Sequence, residues 1–270
     1  MAIKAKEILD SMRFSFSSVN AYATCPKMFY LTYIKKAEKV QNAFAEWGTW
    51  GHHLLEKYYK GELELFELSE IYENGYDENV NLKFPDNAYV DLNETYRAAG
   101  KKYFDNFEDD FSDYEVIGVE QEIEVTIGKY KFVGYIDLIL KDDKGYYICD
   151  HKSKSGFKSK SELRHYLFQL YIYSKYIYET YGEYPVGLIF NMFRKGEIAR
   201  EPFNLDEYKK ALSWAESTID MIYEDNKFED KILTEYTSKR KDIKNYDGRD
   251  FFCQSLCSVR NSCPRSKTKK

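Results

Sequence analysis

Hydrophobic and polar positions change rhythm along this chain, and each rhythm predicts a different kind of element. From Ser17 to Lys36 the apolar residues Val19, Tyr22, Phe29 and Tyr33 recur at roughly helical spacing, with Ser and Asn near the start as helix-initiating residues. Pro26 lacks an amide hydrogen and predicts a bend or interruption there. A second amphipathic stretch, Phe44 to Tyr59, contains Gly48 and Gly51, so helix is expected from Gly51 onward. Residues 61–113 are rich in Glu, Asp, Asn and Tyr and read as a helical insertion, with turns at Asn74-Gly75 and Pro85-Asp86.

From Tyr114 the period becomes two: Val119, Ile123, Val125 and Ile127 are apolar, while Glu122, Glu124 and Thr126 alternate with them. Gly128-Lys129 predicts a turn and Lys131 to Leu140 a second strand. Asp142 to Gly145 then predicts a hairpin loop leading into a third strand, Tyr146 to Lys152. A long helix from Ser161 to Tyr181, a strand near Val186 to Phe193 and a helix from about Leu205 to Tyr223 are expected before a cysteine-bearing tail. The pattern is α/β: one domain over 1–270, with a sheet and helix at 114–200 behind the insertion.

Composition narrows the class. With 43% hydrophobic residues, 14 Gly and 5 Pro in 270, the chain can bury a core and fits neither a disordered nor a fibrous class. Lys4, Lys6, Glu7, Asp10 and Arg13 break any signal-peptide core near the start, and no later run approaches the ~18 apolar residues of a membrane span. The expected setting is cytoplasmic and reducing, where five cysteines point to metal ligation rather than disulfides. A formal charge of −5 argues against a generally basic nucleic-acid binder. It leaves three local basic runs: Lys152, Lys154, Lys158 and Lys160; Lys239, Arg240, Lys241 and Lys244; and Arg265, Lys267, Lys269 and Lys270. Each reads either as a phosphate-facing patch or as solvated surface.

Candidate chemistry begins in the third strand. Asp150 and Lys152 are two apart, so the pleat turns both side chains to one face, and Cys149 and His151 to the other. The hairpin places Asp137 opposite Asp150, and two carboxylates so close are costly without a cation. A divalent metal held by both would remove that cost and could activate water for attack on phosphorus. Two ordinary alternatives stand beside it: a strand-end Asp137 exposed to water, or an Asp paired with Lys152. His52 and Glu56 share a helix face, with His53 pointing elsewhere, and Gln169 and Tyr173 are likewise four apart on the long helix. His165, a turn before Gln169, reads as a groove residue or an ordinary helical histidine.

Taken in order, Gly134-Tyr135-Ile136-Asp137, Asp150-His151-Lys152-Ser153 and Gln169-Leu170-Tyr171-Ile172-Tyr173 resemble the successive motifs of RecB-type PD-(D/E)XK nucleases. Upstream, Gly48 to Glu56 resembles the helical motif that supplies that family's metal with a histidine. The resemblance implies a restriction-endonuclease-like core and metal ligands at His52, Asp137 and Asp150, with the backbone carbonyl of Cys149. It implies that Lys152 orients or deprotonates the attacking water, with Gln169 and Tyr173 as the family's further signature residues. The implied metal is Mg²⁺ or Mn²⁺, and an oxygen-rich set with a single imidazole suits those ions better than zinc.

The opening Phe16 to Tyr22 followed by Cys25-Pro26 and Phe29-Tyr30 resembles the start of the CRISPR-associated and AddB-type nucleases. The resemblance implies a four-iron, four-sulfur cluster on Cys25, Cys253, Cys257 and Cys263, joining segments 1–36 and 245–270. The late cysteines depart from the pattern, with three residues rather than two between Cys253 and Cys257. Thiolate count alone accommodates zinc equally. Cys149, the fifth, reads as a buried structural thiol. The expected function is metal-dependent hydrolysis of DNA, on single strands or ends. The alternative is a non-catalytic DNA-binding or recombination subunit that retains the fold.

Overall fold

The computed structural model describes residues 3–229 and 251–264, so the basic runs at Lys239, Arg240, Lys241 and Lys244 and at Arg265, Lys267, Lys269 and Lys270 lie outside the described residues. Five strands form one sheet in the order β1 (Glu115–Ile127), β2 (Tyr130–Asp142), β3 (Gly145–His151), β4 (Gly187–Met192) and β5 (Glu197–Pro202). β2 and β3 pair antiparallel, β3 and β4 parallel, β4 and β5 antiparallel. The one parallel step needs a crossover, and the long helix between β3 and β4 supplies it. Every residue of β4 is buried, the mark of a strand covered on both faces.

The backbone divides into two compact units. Among the described residues the first comprises 3–42, 126–133, 213–229 and 251–264. It begins with α1 (Ile3–Asp10), which the apolar pattern did not foretell, and α2 (Phe16–Thr24). Ser15 and Ser18 cap α2 reciprocally. Pro26 ends that helix as expected and starts the short α3 (Pro26–Phe29), which runs into a π-helical turn at Tyr30–Ile34. A second π-helical turn occupies Phe252–Leu256.

The second unit comprises 43–125 and 134–212. Its helical part packs α4 (Ala43–Tyr59), α5 (Leu68–Asn79) and α6 (Leu92–Asp105) around buried Trp47, Tyr72, Tyr76 and Phe193. α4 begins eight residues before Gly51, the expected start, and α5 runs through Asn74-Gly75, the expected turn. Close packing explains both departures. A Cβ at Gly51 would stand 2.6 Å from the Phe193 ring, and one at Gly75 would stand 2.6 Å from the Trp50 ring. Pro85-Asp86 does fall in the connection between α5 and α6.

The crossover helix α7 (Lys160–Tyr181) is capped by the Ser159 hydroxyl. The last helix, α8, runs Leu205–Glu224. β3 stops one residue short of Lys152, yet the Lys152 amide still donates to the Asn191 carbonyl at 2.7 Å. β5 was missed because this half-exposed edge strand has only Ile198 and Ala199 as apolar positions. No described helix is long and apolar enough to cross a membrane.

Candidate active site

Within the second unit, α4 and the neighbouring strands bring His52, Glu120 and Asp137 together. His52 Nε2 lies 2.9 Å from Asp137 Oδ2, and His52 Nδ1 lies 3.4 Å from Glu120 Oε1. One ligand atom from each of His52, Glu120 and Asp137 falls within 4.8 Å of the others. Asp137 Oδ2 also accepts the His151 amide at 2.7 Å. The β2/β3 register runs from Asp142↔Gly145 to Leu138↔Cys149, so Asp137 and Asp150 stand at the next step of that ladder. Asp150 Oδ2 meets Lys152 Nζ at 2.6 Å. Lys152 also donates to Gln169 Oε1 at 3.1 Å, and Gln169 Nε2 donates to the Tyr173 hydroxyl at 3.3 Å.

Burial shapes the charges here. Desolvation pushes the Asp150 carboxyl up to about 6; the Lys152 ammonium opposes this and the Asp137 charge adds to it. For Asp137 burial acts in the same sense, but the His52 hydrogen bond and the charges of His52 and Lys152 outweigh it and hold the carboxyl below its usual range. Burial disfavours the charged form of His52, yet the bond to Asp137 and the charges of Asp137, Glu120 and Asp150 carry it up to about 9. Lys152 stays protonated: Asp150 and Asp137 more than offset its desolvation.

These residues fit a hard divalent cation. The Glu120 and Asp137 carboxylates converge with one imidazole, Asp150 stands opposite Asp137 in the strand register, and Glu120 Oε1 is buried with no hydrogen-bond partner. The His52 imidazolium and the Lys152 ammonium partly offset these carboxylates, and a divalent cation that displaced the His52 proton would do the same, with oxygen donors favouring Mg²⁺ or Mn²⁺.

Sequence reasoning missed Glu120. Plain alternation makes it one more polar residue beside Val119, but its backbone lies in the left-handed region at φ +50, which re-aims the side chain. Glu56 pairs with His53 at 3.7 Å and with Lys60 at 2.5 Å, and His53 is 45% exposed, so that pair belongs to the helix surface. His165 is half-buried against Tyr166 and Phe168. The Cys149 thiol is buried with Phe111, Leu138, Leu140 and Ile189, and burial pushes it well up; its backbone pairs with Leu138 on one side and Ile189 on the other.

A polar chain behind the site was also unforeseen. Asn191 Nδ2 lies 3.1 Å from His151 Nδ1 and donates to the Tyr103 hydroxyl at 3.0 Å. Tyr59 stacks on the His151 ring, whose edge-to-face neighbour is His52 at 5.5 Å. Burial holds His151 down at about 3, so its imidazole is neutral.

The four remaining cysteines are in the first unit, all buried. Cys25 separates α2 from α3, Cys253 lies in the second π-helical turn, and Cys257 caps that turn. The Cys257 thiol is pushed up to about 11 by burial, with further contributions from Cys263, Cys25 and Cys253. Arg260 ties this segment down, donating to the carbonyls of Val40 at 3.2 Å, Gln41 at 2.7 Å and Cys257 at 3.3 Å.

A mixed sheet with an aspartate on one strand, an Asp-x-Lys on the next and a histidine from a flanking helix defines an α/β protein with a candidate metal site. Residues 13–264 match the sequence profile of the PD-(D/E)XK nuclease superfamily, and the chain belongs to that superfamily of divalent-metal nucleases. The crystal structure of a candidate exonuclease from Eubacterium rectale is similar in fold, with TM-score 0.50 and 13% identity over 82% of this chain and 83% of that one. The crystal structure of SSO0001 aligns at TM-score 0.36 and 16% identity over 97% of this chain and 92% of that one. No curated protein matches.

Proposed function

We propose that this chain is a RecB-type, Mg²⁺- or Mn²⁺-dependent deoxyribonuclease that hydrolyses phosphodiester bonds at single strands or DNA ends. The observation that carries the reading is Lys152 Nζ standing 2.6 Å from Asp150 Oδ2, beside Asp137 and its partner His52. His52, Asp137, Asp150 and the carbonyl of Cys149 are the proposed ligands, and Glu120 joins them on its position. When bound, the metal polarises a phosphate oxygen and lowers the pKa of a water molecule. Lys152 orients that water and neutralises charge on the phosphorane oxygens. Gln169 fixes the ammonium and Tyr173 fixes Gln169, so the lysine is held before substrate arrives.

The reading extends to the first unit, where Cys25, Cys253, Cys257 and Cys263 are proposed to hold a four-iron, four-sulfur cluster, as in the CRISPR-associated and AddB-type nucleases that the opening segment resembles. Support comes from the Cys257 thiol, which burial and the nearby Cys263, Cys25 and Cys253 push up, and from a π-helical turn at Cys253, a feature frequent at functional sites. A reducing, cytoplasmic setting goes with thiolate ligation. The test is incubation of metal-stripped protein with end-labelled single- and double-stranded DNA, with and without Mg²⁺ or Mn²⁺. Metal-dependent shortening of labelled single strands is expected; an absence of cleavage with either ion overturns the reading.

A further inference from the structure

The loop between β3 and α7 carries an ion pair that the hydrolytic scheme leaves unused. Lys154 Nζ lies 2.6 Å from Glu162 Oε1, with the two side chains only 25% and 28% exposed. The same ammonium stands 4.1 Å from the Tyr166 ring centroid and 5.2 Å from that of Phe157. Lys152 Nζ stands 5.8 Å from the same Tyr166 centroid. Two lysines therefore flank one ring, one committed to Asp150 and Gln169 and the other to Glu162.

Glu162 is surrounded by cationic and N–H groups. Oε1 accepts from Lys154, Oε2 accepts the Lys158 amide at 2.5 Å, and the residue sits in the first turn of the 22-residue α7. An ammonium, a backbone N–H and a helix N-terminus around one anion make a donor set suited to phosphate. A carboxylate in that position is a fixed negative charge beside a site that must admit a polyanion. It lowers substrate affinity unless the substrate can replace it.

We propose that Lys154, seated on Tyr166, and the Lys158 amide form a subsite for the DNA backbone phosphate next to the scissile one, with the Glu162 carboxylate as its resting occupant. The inference rests on the nuclease reading above. Substrate exchanges one anion for another, and the aromatic ring keeps the lysine stem in place while its partner changes. The exposed Lys158 and Lys160 raise the local positive field along the approach.

The test is equilibrium binding of a fluorescein-labelled oligodeoxythymidylate to the full chain, with Ca²⁺ replacing Mg²⁺ to suppress turnover, together with thermal melts of each variant. Glu162→Gln should tighten binding roughly three- to tenfold, since a neutral amide competes poorly for the ammonium. Lys154→Met should weaken binding about tenfold and reduce the slope of log Kd against log salt by about 1, and Lys154→Arg should restore both. In the Lys154→Met background, Glu162→Gln should no longer tighten binding. Ser159→Ala, which loosens the helix start without changing charge, should leave the salt slope unaltered. If Glu162→Gln weakens or does not change binding, or the Lys154→Met slope equals that of the wild type, the pair is a loop clamp and the subsite is overturned. A wild type that cuts DNA while its variants behave in that way keeps the nuclease reading and loses only this inference. A wild type that neither binds nor cuts DNA removes both.

Discussion

Lys152 is held by Asp150 on one side and Gln169 on the other, and a cation fixed so firmly next to two carboxylates has a definite role to lose. Asp150→Ala and Lys152→Ala should each lower the cleavage rate by about 10²–10⁴ in an end-labelled DNA assay while circular dichroism stays native. Wild-type rates in both would refute the assignment. His52→Ala should be far more damaging than His53→Ala, because only His52 reaches Asp137 while His53 faces solvent beside Glu56. Equal losses would mean the helix register is wrong. Behind the site, Asn191→Leu leaves His151 Nδ1 and the Tyr103 hydroxyl in a buried pocket without their partner. The expected cost is about 1–3 kcal/mol, read as a fall in chemical-denaturation midpoint; an unchanged midpoint would show that water replaces the amide.

At the scale of the element, the glycines of α4 and α5 separate what local pattern predicts from what packing requires. Gly75 in mid-helix looks like a position where Ala would stabilise by up to about 1 kcal/mol. Here a Cβ would meet the ring of buried Trp50 at 2.6 Å, and overpacking costs about 1–3 kcal/mol. Gly75→Ala should therefore lower the melting temperature, and a rise would mean that the ring moves aside freely. The strands tell a related story. Alternation along β1 marks Val119 and Ile123 as inward, but one residue in the left-handed region turns Glu120 toward His52. A single backbone torsion of that kind leaves no trace in hydrophobic periodicity, so a candidate ligand stayed hidden while its neighbours were legible.

For the whole molecule, the proposed cluster makes a prediction about how the chain holds together. Cys25→Ser or Cys257→Ser should remove iron and sulfide from anaerobically purified protein and lower its melting temperature by several degrees, whereas Cys149→Ser should leave the iron content unchanged. Stoichiometric zinc without iron in the wild type would replace the cluster by a zinc site on the same cysteines.

The sequence by itself determined the α/β class, four of the five strands, the β2/β3 hairpin register and the placing of Asp150 and Lys152 on one face, because those follow from periodicity and from the length of one turn. Tertiary structure alone decided the rest. α4 starts at Ala43, β5 closes the sheet edge, Glu120 swings to His52, and Asn191 and Tyr103 meet behind His151. Each of these depends on groups far apart in the chain, Tyr103 and Asn191 being 88 positions apart. Local pattern records which face a residue turns, whereas packing decides which distant residue it meets there.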